Sequence, residues 1–90
     1  MSRLEDIIEY YPDVDFLSAD GFEDCILGVS YDMINGVYRL VYSRSECISV
    51  LIGDGMEYDE ANEYFDFNTS GAYVGEKTPI WVDDNMFNEI

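Results

Sequence analysis

The sequence predicts a single small α+β domain, in which an antiparallel β-hairpin and a returning C-terminal strand pack against two or three short helices. Three observations support this fold class. Asn35-Gly36, the preferred pair of a two-residue hairpin turn, lies between two segments that alternate apolar and polar residues. Three other segments carry apolar residues at helical spacing, and a short apolar segment follows Pro79. A chain of 90 residues is long enough for one hydrophobic core.

The first 24 residues are predicted to form a helix and a loop. In residues 1–12, Ser2 and Glu5 have the spacing of a capping box, and Pro12 ends the helical pattern. Residues 13–24 are polar and contain an Asp20-Gly21 turn signal. We therefore expect an acidic loop with little regular structure, held to the core by its two phenylalanines.

Residues 25–42 are predicted to form the hairpin. A two-residue turn at Asn35-Gly36 places Ile34 opposite Val37. In this register Asp32 lies opposite Arg39, a charge pair that stabilises a strand pair. The apolar face then pairs Val29, Tyr31 and Met33 with Tyr42, Leu40 and Tyr38.

Residues 43–67 are predicted to form two consecutive helices. Ser43 and Glu46 form a second capping box, and apolar residues then cover most of the first helix's circumference until Gly53-Asp54-Gly55 ends it. We expect that helix to be largely buried. The next helix, from about 57 to 67, is amphipathic. Its predicted core side consists of Tyr58, Ala61, Tyr64 and Phe65, and its acidic side of Asp59, Glu60, Glu63 and Asp66, with Phe67 among the acids.

Residues 68–77 are predicted to form a glycine-rich loop, and residues 78–84 the last strand. The loop has two interpretations: it is purely structural, or it presents Tyr73, Glu76 and Lys77 to a partner. Pro79 suits an edge strand, because proline cannot donate a ladder hydrogen bond. A short edge strand leaves both a monomer and a homodimer open.

The charge of the chain restricts its partners. Twenty acidic residues against four basic ones and no histidine give a net charge of −16. Binding to nucleic acid or to an anionic membrane is disfavoured, because both need Lys and Arg, so we expect a basic partner. No segment resembles a membrane span or a secretory leader, so we expect a cytosolic protein whose Cys25 and Cys47 stay reduced and buried.

Residues 20 to 82 resemble a family of small, uncharacterised acidic proteins encoded by tailed bacteriophages. The most specific parts of the resemblance are Glu60-Ala61, Glu63-Tyr64-Phe65, Phe67-Asn68, the segment Gly71-Ala72-Tyr73-Val74-Gly75-Glu76, and Thr78-Pro79. The resemblance implies an α+β protein that acts in the bacterial host cytoplasm. It implies no catalytic residues.

The usual components of catalytic and cofactor sites are missing from the sequence. Without histidine, a Ser-His or Cys-His pair and an imidazole metal site cannot form. The segment Asp13–Asp24 superficially resembles a calcium loop, but Leu17 and Ser18 stand where that loop needs an oxygen ligand and a glycine. The glycine-rich loop lacks the spacing of a phosphate-binding loop. We therefore expect no enzyme activity, no cofactor and no dedicated metal site.

The acidic helix face is the best candidate contact surface. Helix faces usually mix charge signs, whereas every i,i+3 and i,i+4 pair among its four acids is like-charged, which destabilises a helix. The leading hypothesis is an inhibitor that occupies the basic nucleic-acid-binding site of a bacterial protein, as DNA-mimic proteins do. The candidate partner-binding residues are Asp59, Glu60, Glu63, Asp66, Phe67, Tyr73, Glu76, Asp13, Asp15, Asp20, Glu23 and Asp24.

Two alternatives remain open. One is a regulatory or assembly adaptor that binds a host or phage protein through an aromatic patch such as Phe67 and Tyr73, with acidity serving solubility only. The other is a small-molecule binder for nucleotides, which requires Arg39, Arg44 and Lys77 to converge.

Overall fold

A computed structural model describes residues 3–70 and 75–84 and has the predicted α+β architecture. The described residues form three α-helices and three strands. A 3₁₀ turn, Glu23–Cys25, precedes the first strand, and a π-helical turn, Asp66–Ser70, follows the last helix. The helices are α1 (Arg3–Tyr10), α2 (Arg44–Gly53) and α3 (Tyr58–Phe65), and the strands are β1 (Ile26–Asp32), β2 (Val37–Ser43) and β3 (Ile80–Val82).

The three strands form one mixed sheet in the order β1-β2-β3. β1 and β2 are antiparallel, whereas β3 pairs with β2 in parallel, with Val41 opposite Ile80. Parallel neighbours need a long crossover connection, and here α2 and α3 lie within it. β3 is therefore the edge strand that Pro79 indicates.

The predicted hairpin register is wrong by two residues. Asp32 pairs with Val37 and Tyr31 with Tyr38, so the connection is a four-residue loop, residues 33–36. Asp32 favours this longer loop because its Oδ1 accepts hydrogen bonds from the backbone N–H groups of Ile34 and Asn35, at 3.0 and 3.2 Å. Gly36 closes the loop at φ +65°, where a side chain would be strained.

The predicted faces of the hairpin survive except at Met33, which lies in the loop and is exposed. A shift of two residues preserves the side-chain alternation of the other positions. Tyr31 and Tyr38 pack with ring centroids 4.6 Å apart, and Val29 lies opposite Leu40. Arg39 lies opposite Ser30 rather than Asp32, and its guanidinium reaches Asp32 diagonally at 3.5 Å.

The core lies between the sheet and the helices α2 and α3. Its fully buried members are Ile26, Leu40, Tyr42, Cys25, Cys47, Ala61 and Phe65. Trp81 packs on Tyr42 and Phe65, with centroid distances of 4.9 and 5.2 Å. Both cysteines are free thiols, as expected, and burial raises the pKa of each.

Two burial predictions for the helices are wrong. Tyr58 and Tyr64 are 62% and 43% exposed, because α3 contacts the core only through the narrow stripe of Ala61 and Phe65. α2 buries one side rather than most of its circumference, since Ile52 is 41% exposed.

The N-terminus of α2 is fixed by two side chains. Ser43 is the predicted cap, and its Oγ accepts from the Glu46 N–H at 3.2 Å. Asp84, just beyond β3, accepts from the Ser43 hydroxyl at 2.6 Å and from the Ser45 N–H at 3.1 Å. The carboxylate thus ties the last strand to the start of the helix that follows the hairpin. The capping residue predicted for the first helix, Ser2, lies outside the described residues.

Candidate functional site

The four basic side chains of the chain are all engaged with carboxylates, so none is available to an anionic ligand without breaking an ion pair. Arg3, Arg39, Arg44 and Lys77 pair with Glu46, Asp32, Asp66 and Asp15, at 3.7, 3.5, 2.5 and 3.6 Å. They lie at separate points of the fold rather than converging, so the structure gives no support to the nucleotide-binder alternative. The acidic residues in excess of these pairs dominate the surface.

Asp59 and Glu63 are the unpaired acids of α3. They stand one helical turn apart on the solvent side, opposite Ala61 and Phe65, and both are exposed. Neither side chain has a hydrogen bond or ion pair with another described residue. Glu60 is also exposed, but its Oε1 accepts the Glu57 N–H at 3.3 Å and so helps to begin the helix. Neither carboxylate therefore has a partner among the described side chains, although Asp59, in the first turn of α3, interacts favourably with the helix dipole.

Asp66 has a structural role that the sequence pattern does not reveal. Its carboxylate accepts a hydrogen bond from Arg44 at 2.5 Å, which holds the Asp66 pKa below its usual value. Arg44 also donates to Asn62 Oδ1 at 3.0 Å and lies 5.0 Å above the Phe65 ring. The predicted run of like charges is thus interrupted at its C-terminal end, where Asp66 joins α3 to the start of α2.

The acidic loop is held to the core by side chains that pack beneath it, and most of its acidic side chains are exposed to solvent. Phe22 is buried and Phe16 packs against the core, as expected. The buried Tyr42 hydroxyl accepts the Ala19 N–H at 2.8 Å, and burial raises the Tyr42 pKa. The exposed members of the predicted set are Asp13, Asp15, Asp20 and Asp24, whereas Glu23 is half-buried.

A cavity of about 470 Å³ lies where the acidic loop meets the C-terminal end of α3. Asp20 lines it from the loop, Tyr64 and Asn68 from α3 and the π-helical turn, Asp54 from the end of α2, and Trp81 from β3. The structure therefore brings the acidic loop and the C-terminal end of α3 to one depression, whose carboxylates are Asp20 and Asp54 rather than those of the predicted acidic helix face. Within the described part of the chain, no basic residue lines this cavity.

The predicted contact residues around the glycine-rich loop are only partly described. Phe67 is 80% exposed, in the first turn after α3, so its ring is available to a partner. Glu76 is also exposed. Tyr73 lies outside the described residues.

Sequence reasoning missed several accessible groups. Met33 and Ile34 are 83% and 94% exposed at the hairpin tip, because the four-residue loop lifts them out of the strands. The capacity of Asp32 to cap its own turn is the signal that could have indicated this loop. Asp54 and Trp81 were not candidates, and only tertiary structure places them beside Asp20.

Two further properties concern the described part of the chain. Among residues 3–70 and 75–84, no three Cys, Asp or Glu residues are grouped so that they could hold a metal ion. The same residues contain no helix long and apolar enough to cross a membrane.

Comparisons with protein-family models, with curated proteins and with solved structures found no match for this chain.

Proposed function

We propose that this protein is a small acidic inhibitor of tailed-bacteriophage type that occupies the basic nucleic-acid-binding surface of a bacterial protein in the host cytoplasm. The resemblance of residues 20 to 82 supports the phage origin, and the distribution of charge supports the mode of binding. The protein acts by binding, without catalysis or cofactor.

The observation that carries the proposal is the contrast between paired and unpaired charges. All four basic side chains are held in ion pairs, whereas Asp59 and Glu63 are exposed and have no partner among the described residues. Like charges one turn apart destabilise a helix. No hydrogen bond or ion pair with a described residue offsets this repulsion, and exposed, unpaired carboxylates of this kind are expected when a surface serves an external cationic partner.

The electrostatics favour fast and salt-sensitive association. A strongly negative surface attracts a positively charged cleft over several ångströms and raises the encounter rate. The Debye length falls from about 8 Å at physiological salt to about 3 Å at 1 M, so the complex should weaken as salt rises. A nucleic acid that binds the same cleft should compete.

The test is affinity capture from a bacterial lysate with tagged protein, eluted by a salt gradient with and without competing DNA and analysed by mass spectrometry. We expect recovery of a nucleic-acid-binding protein that salt releases and DNA displaces. Asp59→Lys/Glu63→Lys should lose this protein. Asp6→Lys/Glu9→Lys, which changes net charge equally on the exposed side of α1, should retain it.

Two results would contradict the proposal. One is recovery only of proteins indifferent to salt and DNA. The other is equal loss of the target with both double variants, because that would show a general charge effect rather than a contact on α3. Cooperative thermal unfolding of each variant checks that the fold is intact.

A regulatory or assembly adaptor is the second candidate, and the exposure of large apolar side chains favours it. Phe67, Met33 and Ile34 are each at least 80% exposed, and such side chains are common anchors of protein interfaces. An adaptor predicts capture of a protein that resists salt, and loss of that protein with Phe67→Ala or Met33→Ser/Ile34→Ser. Capture unaffected by these changes but abolished by charge reversal on α3 would exclude it.

A further inference from the structure

The cavity between the acidic loop and α3 has the lining expected of a site for an amphipathic cation. Its floor includes the buried side chains of Phe22 and Leu51 together with Trp81, and its polar groups include the exposed carboxylates of Asp20 and Asp54. At about 470 Å³ it falls within the usual range for ligand pockets. It can therefore accept a group with an apolar body and a charged end.

The sign of the charge selects the class of occupant. Among the described residues, two carboxylates and no basic side chain line the cavity, so it repels phosphates and carboxylates. A guanidinium or ammonium group gains charge-assisted hydrogen bonds from carboxylates. A guanidinium also stacks favourably on aromatic faces such as those of Trp81 and Tyr64.

Trp81 contributes its ring to the cavity lining rather than a polar group. Its Nε1–H is buried away from solvent and has no acceptor among the described residues. The polar contacts of an occupant are therefore with the two carboxylates.

We propose that this cavity takes a lysine or arginine side chain of the partner protein, with its methylene stem against Phe22, Leu51 and Trp81 and its cationic end at Asp20 and Asp54. The inference rests on the proposed function, since it identifies one anchor by which a basic surface is held. It adds a discrete contact to an attraction that is otherwise spread over the surface.

Trp81 is the single tryptophan of the chain and therefore reports on the cavity directly. The experiment titrates the protein with N-acetyl-arginine-N-methylamide, its lysine equivalent, and the uncharged citrulline equivalent, at constant ionic strength. Tryptophan fluorescence and the single indole ¹H–¹⁵N resonance are recorded. We expect saturable changes with the arginine or lysine compound, in the fluorescence and in the indole resonance, because the Trp81 ring lines the cavity.

Matched variants separate the cavity from net charge. Asp20→Asn/Asp54→Asn should weaken binding by about tenfold or more, as the loss of a charge-assisted hydrogen bond predicts. Asp6→Asn/Glu9→Gln makes the same change in net charge on α1 and should leave the affinity unchanged. Circular dichroism and thermal unfolding confirm that both variants fold, and the titration of the unsubstituted protein needs no variant.

Three results would overturn the inference: no saturable change with either cation, an equal response to citrulline, or equal weakening in both double variants. Its failure is distinguishable from failure of the proposed function. If the lysate yields a target that DNA displaces but neither cation binds in the cavity, only the proposed cavity site is refuted. If a cation binds in the cavity but no target is displaced by DNA, the proposal of a nucleic-acid-binding partner is refuted and the cavity site stands.

Discussion

Removal of the Asp84 carboxylate should destabilise the protein measurably, although the residue lies near the end of the described chain. Asp84 accepts hydrogen bonds from the Ser43 hydroxyl at 2.6 Å and the Ser45 N–H at 3.1 Å. The Ser45 N–H belongs to the first turn of α2, where backbone donors lack intrahelical partners. A carboxylate there both caps the helix and interacts favourably with its dipole.

The magnitude follows from these two contributions. Loss of a capping acceptor costs about 0.5–2 kcal/mol, and loss of a negative charge near a helix N-terminus costs roughly 0.3–1 kcal/mol. Ser43 is fully buried, but its hydroxyl keeps a contact with the Ser45 hydroxyl at 3.1 Å, which limits the penalty. Asp84→Ala should therefore lower the free energy of unfolding by about 1–3 kcal/mol at pH 7, and Asp84→Asn by less.

The loss of stability caused by Asp84→Ala should become smaller at acidic pH. Burial raises the pKa of Asp84, but hydrogen bonds from Ser43 and Ser45 outweigh it, so the pKa lies below its usual value. A carboxyl whose pKa is lowered by folding stabilises the protein above its unfolded pKa of about 3.9. That contribution is lost as the pH falls through the lower, folded pKa. The difference between wild type and Asp84→Ala should therefore shrink as the solution is acidified below about pH 4.

Urea unfolding at pH 7 and at several acidic pH values measures this difference. Glu9→Gln, at an exposed position in the last turn of α1 with the same change in charge, should show little loss at either end of the range. An Asp84→Ala variant as stable as wild type, or a difference that does not vary with pH, would refute the assignment of Asp84 as an ionised cap of α2.

Three other predictions concern the anchors of the fold. Tyr42→Phe should lower the free energy of unfolding by about 1–2 kcal/mol in thermal unfolding, because the Ala19 N–H loses its acceptor; unchanged stability would show that water replaces the hydroxyl. Gly36→Ala should cost about 1 kcal/mol, because φ is +65° there, and an unaffected melting temperature would contradict the loop conformation. Cys25 and Cys47 should resist a thiol reagent until the protein unfolds, because both are buried and their pKa values are raised; rapid labelling of the folded protein would contradict this burial.

The helices were predictable because their signals are local. Ser43 caps α2 as its spacing from Glu46 indicates, and Gly53 ends the helix as the glycine pattern indicates. The strand after Pro79 was also predictable, since proline and β-branched residues act within a few positions. Its parallel pairing with β2 was not, because pairing depends on the path of the chain through α2 and α3.

The hairpin shows where two local signals compete. Asn35-Gly36 favours a two-residue turn, whereas the side chain of Asp32 stabilises a longer loop by accepting backbone hydrogen bonds. Apart from Met33, the faces were predicted correctly under the wrong register, because side-chain alternation has a period of two. The exposure of Met33 and Ile34 is a direct consequence of the longer loop.

The sequence by itself determined the fold class, the helix starts, the strand faces and the excess of negative charge, because composition and short-range spacing carry that information. Only the tertiary structure decided which acids belong to the fold and which remain available. Asp59 and Asp66 are alike in the helical pattern, yet Asp66 forms an ion pair with Arg44, whereas Asp59 has no hydrogen bond or ion pair with a described side chain. The physical reason is that an ion pair depends on the position of residues distant in sequence, and the same is true of the cavity that joins Asp20 to Trp81.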